Sequence, residues 1–123
     1  MMTKKILLVD DSTTMLLMER MVLGKGGYHL LSANNGEEAV ETALAHDPDL
    51  ILLDVVMPRM DGFEVCRRLR AHESTRATPI ILVTTRGEES YVEEGFRSGC
   101  NDFVMKPLDG LELLTKVKSL LGD

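Results

Sequence analysis

Lysine and arginine are outnumbered in this chain. With 20 Asp and Glu against 14 Lys and Arg, and a net charge of -6, it has no basic stripe able to track a phosphate backbone. Direct nucleic-acid binding is therefore not expected. Long hydrophobic runs are missing too. The longest, Leu50 to Met57, contains Asp54 and falls far short of the roughly 20 apolar residues of a membrane span. The start, Met1-Met2-Thr3-Lys4-Lys5, leads into a short apolar run that ends at aspartates, unlike a secretory leader. A cytoplasmic protein with no membrane partner is expected. Cysteine is scarce: Cys66 and Cys100 show neither metal-ligand spacing nor a C-x-x-C pattern, which suits small buried hydrophobes better than a disulfide or a redox pair. His29, His46 and His72 lack metal-ligand spacing. Gly24-Lys25-Gly26-Gly27 is neither a Walker loop nor a dinucleotide fingerprint, and no G-x-S-x-G elbow occurs. No repeat, low-complexity tract or linker divides the 123 residues, so residues 1–123 read as one domain.

What is present is an alternation of short apolar runs with segments of helical period, the pattern of an α/β protein. Strands are expected near residues 5–9, 29–33, 50–53, 80–84 and 101–105. The first helix starts at Ser12, a suitable N-cap, and carries Met15, Met18 and Val22 on one face, with the methionines as core filler. The second follows the turn Asn34-Asn35-Gly36, with Glu37 and Glu38 in its first turn, where the helix dipole favours acids, and Ala39, Ala43 and Leu44 as its packing face. The third carries Phe63, Cys66 and Leu69. A fourth, weakly amphipathic, opens at Glu88 and Glu89, is interrupted by Gly95 and closes near Gly99. The last begins at the capping-box pattern Asp109-Gly110-Leu111-Glu112 and presents Leu111, Leu114, Val117 and Leu121.

Four of the apolar runs stop at a reactive polar residue: Ile6–Val9 at Asp10-Asp11, Leu50–Leu53 at Asp54, Pro79–Val83 at Thr84, and residues 101–105 at Lys106. Parallel strands joined by right-handed crossovers place their carboxyl ends along one rim, and ligands bind there where the strand order reverses. In the doubly wound order 2-1-3-4-5, strands one and three flank that point, so Asp10, Asp11 and Asp54 would meet. Spacing alone leaves the order open. Taken singly, each residue has an ordinary reading: Asp10-Asp11 as a strand end and cap, Lys106 as a surface charge, Phe103 as a packed aromatic.

Together, Val9-Asp10-Asp11-Ser12, Asp54-Val55-Val56-Met57-Pro58, Asp61-Gly62, Thr84 and Lys106-Pro107 resemble a two-component response-regulator receiver domain over nearly the whole chain. The resemblance implies a flavodoxin-like (βα)5 fold with a five-stranded parallel sheet in the order 2-1-3-4-5. It implies Asp54 as phosphoacceptor for a histidine kinase or histidine phosphotransfer protein, and Mg²⁺ held by Asp11, Asp54 and the backbone carbonyl of Val56, with Asp10 acting through a water. Lys106 would bind a phosphoryl oxygen. Thr84 and Phe103 would form the switch that reshapes the surface of helix four, strand five and helix five for a downstream protein reader. A monomer or a phosphorylation-dependent dimer is expected, acting as a signalling switch and not as an enzyme. The Lys106-Pro107 bond is expected to be cis.

The residues support such chemistry. A carboxylate can act as nucleophile toward phosphorus, and two carboxylates about 4 Å apart repel by roughly 4 kcal/mol at an effective dielectric near 20. Three together invite a divalent cation, and an all-oxygen set favours Mg²⁺. Thr85 is bulkier than the small residue often found in this family after the threonine and would narrow access. Val56 and Arg86 occupy positions that, in the family this chain resembles, help tune hydrolysis of the acyl phosphate; valine cannot orient an attacking water, so slow self-dephosphorylation is expected. A haloacid-dehalogenase-like phosphohydrolase also uses a strand-end aspartate with Mg²⁺, threonine and lysine. Its Asp-x-Asp signature is absent here, since Ser12 stands two residues after Asp10. A phosphorylation-independent interaction module is the other alternative.

Overall fold

A computed structural model describes residues 3–85 and 89–122. Arg86 and Glu88, singled out above, lie outside the described residues. Five strands, β1 (Lys5–Val9), β2 (His29–Ala33), β3 (Leu50–Asp54), β4 (Ile80–Thr84) and β5 (Asp102–Met105), alternate with five helices. These are α1 (Thr13–Leu23), α2 (Gly36–His46), α3 (Gly62–Ala71), α4 (Glu89–Ser98) and α5 (Gly110–Leu121). The strands form one parallel sheet in the order β2-β1-β3-β4-β5. None of the helices is long and apolar enough to cross a membrane among the described residues.

Successive side chains of a strand point to opposite faces, and here both faces are covered. Leu7, Val9, Ile51, Leu53, Ile80 and Leu82 meet Ala39, Ala43, Phe63, Cys66 and Leu69 of α2 and α3. On the other face, Ile6, Leu8, Leu50, Leu52, Ile81, Val83 and Val104 meet Leu23, Leu113 and Val117 of α1 and α5. Double burial is why β1, β3 and β4 read as nearly continuous apolar runs. Both cysteines are buried and free.

The helix starts follow the capping signals. Ser12 Oγ accepts from Met15 N, Asn35 Oδ1 from Glu38 N, Asp61 Oδ1 from Glu64 N, and Asp109 Oδ1 from Leu111 N and Glu112 N. Each satisfies a donor that the first turn leaves free. The buried faces differ from expectation in three helices. In α1, Glu19 and Leu23 are buried while Met18 is exposed; in α2, Leu44 is exposed; in α5, Leu113 and Val117 are buried and Leu111 is exposed. In α1 and α5 the apolar stripe is too rich in leucine or methionine for its pattern to name the inward line, which the packing angle against the sheet sets; in α2 only the small Gly36, Ala39 and Ala43 are buried. Gly95 does not interrupt α4. A Cβ there would run into the ring of Phe103, so the glycine lets strand and helix approach closely.

Candidate functional site

The site begins where β1 and β3 end. Asp10 follows β1 and is fully buried; its Oδ1 accepts from Ser12 N at 2.9 Å, which turns the chain into α1. Asp54 is the last residue of β3 and 3% exposed. The loop behind it is fixed by Gly62 N, which donates to Val55 O at 2.8 Å, and by Val55 N, which donates to Val83 O at 3.0 Å. From β5, Lys106 reaches across the sheet end, its backbone N donating to Thr84 O at 2.8 Å. The Lys106-Pro107 peptide bond is cis. Lys106 Nζ stands 3.3 Å from both Asp10 Oδ2 and Asp54 Oδ1.

Asp10, Asp11, Ser12, Asp54, Val56, Thr85 and Lys106 line a cleft of about 250 Å³. Five expected site residues, Asp10, Asp11, Asp54, Val56 and Lys106, thus share one cleft. Thr84 and Phe103 do not line it: Thr84 is fully buried, and Phe103 is half-buried beside Gly95, its ring 6.0 Å from that of Phe96. Thr85, not Thr84, faces the opening, and the exposed Val56 side chain sits at its mouth.

The charges in the cleft are unbalanced. Burial first, and then the Asp10 carboxylate, push Asp54 up to about 6 against the pull of Lys106. Burial works against the Lys106 ammonium, but Asp54 and Asp10 outweigh it and hold its pKa above the ordinary lysine value. Oxygens of Asp10, Asp11 and Asp54 lie within 4.8 Å of one another, with one ammonium to offset three acids. An all-oxygen set with excess negative charge fits a hard divalent cation, and magnesium needs few protein oxygens because it keeps several waters.

One buried acid nearby escaped the sequence reading. Glu19 is 1% exposed, and burial, followed by Asp10, pushes it up to about 8. Its signal was present as an acid midway along the line Leu16-Glu19-Leu23.

Residues 6–118 match the family described as the response regulator receiver domain. The transcriptional regulatory protein ResD of Bacillus subtilis (strain 168) is 44% identical over 117 residues, which is 95% of this chain and 48% of that protein. The chain thus spans about half the length of that relative. Among solved structures, the chemotaxis protein CheY4 of Vibrio cholerae superimposes with a TM-score of 0.93 at 32% identity, covering 98% of this chain and 100% of that one. The receiver domain of the sensor histidine kinase PA1611 of Pseudomonas aeruginosa PAO1, described with a magnesium ion coordinated in its active-site cleft, has a TM-score of 0.91 at 30% identity, covering 99% of this chain and 100% of that one. Strand order, cleft and matched length agree, and the chain belongs to the response regulator receiver domain family, the phosphorylation-controlled modules of two-component signalling.

Proposed function

We propose that this domain is switched by phosphorylation of Asp54, with a histidine kinase or histidine phosphotransfer protein as donor. Asp54 carries the reading: a buried carboxylate at the base of an open cleft, 3.3 Å from a lysine and beside two further acids. An Asp54 oxygen attacks the phosphorus of the phosphohistidine. The phosphorus–nitrogen bond breaks, and its electron pair leaves on the imidazole nitrogen, which takes a proton from solvent. Asp11, Asp54 and the backbone carbonyl of Val56 would hold Mg²⁺, with Asp10 one water further out, and the bound ion would neutralise repulsion between carboxylate and phosphoryl group. Lys106 moves from Asp54 Oδ1 to a phosphoryl oxygen, as a point charge on a flexible stem can. Positioning and electrostatics supply most of the catalysis in such transfers.

The Thr84 hydroxyl turns to the bound phosphoryl group, and Phe103 follows into the space it leaves. Phe103 packs against Gly95 of α4, and α4 and β5 also present the exposed Phe96 and Met105. Movement of that ring therefore alters the α4–β5–α5 surface, where a downstream protein reads the state. Going from mostly inactive to mostly active takes roughly 5 kcal/mol of differential stabilisation. The chain assists its own phosphorylation and dephosphorylation and turns over no external ester.

Incubation with acetyl phosphate, with and without Mg²⁺, followed by intact mass measurement, tests this. One phosphoryl group should appear in the presence of Mg²⁺ in wild type and none in Asp54→Asn. Continuous release of phosphate from simple esters would favour the phosphohydrolase reading instead.

A further inference from the structure

Among the described residues β5 is an edge strand, paired with β4 alone. A strand in that place presents unpaired backbone groups along its open side. Lys106 N donates to Thr84 O of β4. Because the backbone groups of a strand alternate in direction, those of Phe103, three residues earlier, point to the open side. Both are nevertheless taken. Phe103 N donates to Asp102 Oδ1 at 2.8 Å, and Lys116 Nζ of α5 donates to Phe103 O. Lys116 Nζ also stands 3.3 Å from Asp102 Oδ1. The ion pair alone would be ordinary: its side chains are 29% and 36% exposed, and such pairs contribute little. The contact with the carbonyl sets Lys116 apart. It follows the buried Leu113 by three positions and precedes the buried Val117, so it leaves the margin of the buried face of α5 and reaches round the sheet edge. The Phe103 ring lies on the other face, against Gly95 of α4. One residue is thereby joined to both helices, by its ring to α4 and by its backbone to α5.

We propose that Lys116, with Asp102, is a positioning residue of the switch: it pins the Phe103 backbone to α5, so that phosphorylation turns the ring on a fixed strand. This role rests on the Asp54 reading above. An edge strand whose outer groups bond only water opens at little cost. Were residue 103 free in this way, a pull on its ring would be relieved by a drift of β5 away from β4. Held at its N–H and its carbonyl, the residue has only its side-chain torsions left, and χ1 settles in separate staggered wells. Distinct ring positions are what a two-state readout needs. The ends of the strand are held as well. Asn101 Oδ1 accepts from Ile80 N at 2.8 Å at one end, and Lys106 N donates to Thr84 O at the other. Lys116 supplies the middle anchor, and supplies it from α5.

Lys116→Met keeps the stem of the side chain and removes the donor, whereas Lys116→Arg keeps donor and charge. In unphosphorylated Lys116→Met the Phe103 amide should exchange with solvent about ten-fold faster, while the amides of β1 and β3 keep their protection. The NMR resonance of the Phe103 carbonyl carbon should move. Acetyl phosphate with Mg²⁺ should still phosphorylate this variant within about two-fold of the wild-type rate, because Lys116 is not among the residues lining the cleft. The displacement of the Phe103 ring resonances on phosphorylation should fall to about half its wild-type size, since a ring on a drifting strand averages between positions. Lys116→Arg should restore both exchange and displacement. A ring displacement of full size in Lys116→Met overturns the proposal whatever the exchange rate shows, as does an arginine variant that behaves like the methionine one. Wild type that takes up no phosphoryl group sinks the Asp54 reading and the proposal together. Normal phosphorylation of Lys116→Met with an unchanged ring response sinks the proposal alone.

Discussion

At Asp54, burial and Asp10 raise the carboxyl from an ordinary 3.8 to about 6. Protons therefore compete with a cation for it as the pH falls through 6. Mg²⁺ binding, followed by calorimetry, should weaken about ten-fold between pH 8 and pH 5, and Asp54→Asn should flatten that dependence. The same shift acts on stability. Between about 4 and 6 the folded protein holds a proton that the unfolded chain has lost, so Asp54 lowers stability as the pH rises through that window. Glu19 does the same between its ordinary 4.5 and about 8. The metal-free protein should therefore resist urea better at pH 5 than at pH 8, and Glu19→Leu should lose much of that difference. Val56, exposed at the cleft mouth, sets another residue-level expectation. Its side chain cannot orient water, so Val56→Asn or Val56→Glu should change the lifetime of the phosphorylated protein several-fold in a decay assay, and equal half-lives would remove Val56 from the account.

Among the elements, two glycines hold helices against the strands that matter. A Cβ on Gly62 would strike the backbone carbonyl of Asp54 and stand 2.9 Å from Val55 Cα. Backbone cannot yield there, so Gly62→Ala should cost roughly 3 kcal/mol in urea unfolding and weaken Mg²⁺ binding by moving Asp54. A Cβ on Gly95 would meet only side-chain atoms, the Phe103 ring and Leu82 Cδ1. The ring can tilt away, so Gly95→Ala should cost nearer 1 kcal/mol and shift the Phe103 ring resonances. The ends of the helices were legible because a cap is a local event: Ser12, Asn35, Asp61 and Asp109 each bond a backbone N–H within three residues. Their inward faces were less so. Leu111 and Leu113 are equally apolar, yet only Leu113 is buried, since that choice depends on how α5 lies on the sheet.

For the molecule as a whole, the end opposite the cleft is tied by Arg70. Its guanidinium donates to Gly99 O at 2.9 Å, Thr78 O at 2.8 Å, Thr75 O at 3.1 Å and Asn101 Oδ1 at 3.0 Å, joining the segments that lead into β4 and β5. Arg70→Ala strands these acceptors and should lower stability by about 2–3 kcal/mol in urea unfolding while leaving Mg²⁺ affinity unchanged. Arg70→Lys should recover only part of the loss, because an ammonium cannot span four acceptors that a planar fork reaches.

By itself, the order of residues determined that strands alternate with helices, that four of the five strands end on a chemically active group, and which family those ends resemble. These are local or linear properties: a run of apolar residues, a cap, a motif. Tertiary structure alone decided that Lys106 lies between Asp10 and Asp54, residues 96 and 52 positions away, and that Thr85 lines the cleft while Thr84 is buried. It alone brought a lone acid of α1 within reach of their charges. Such contacts arise only when strands far apart in the chain are laid side by side, and no periodicity within one element records which distant side chain its neighbour will present.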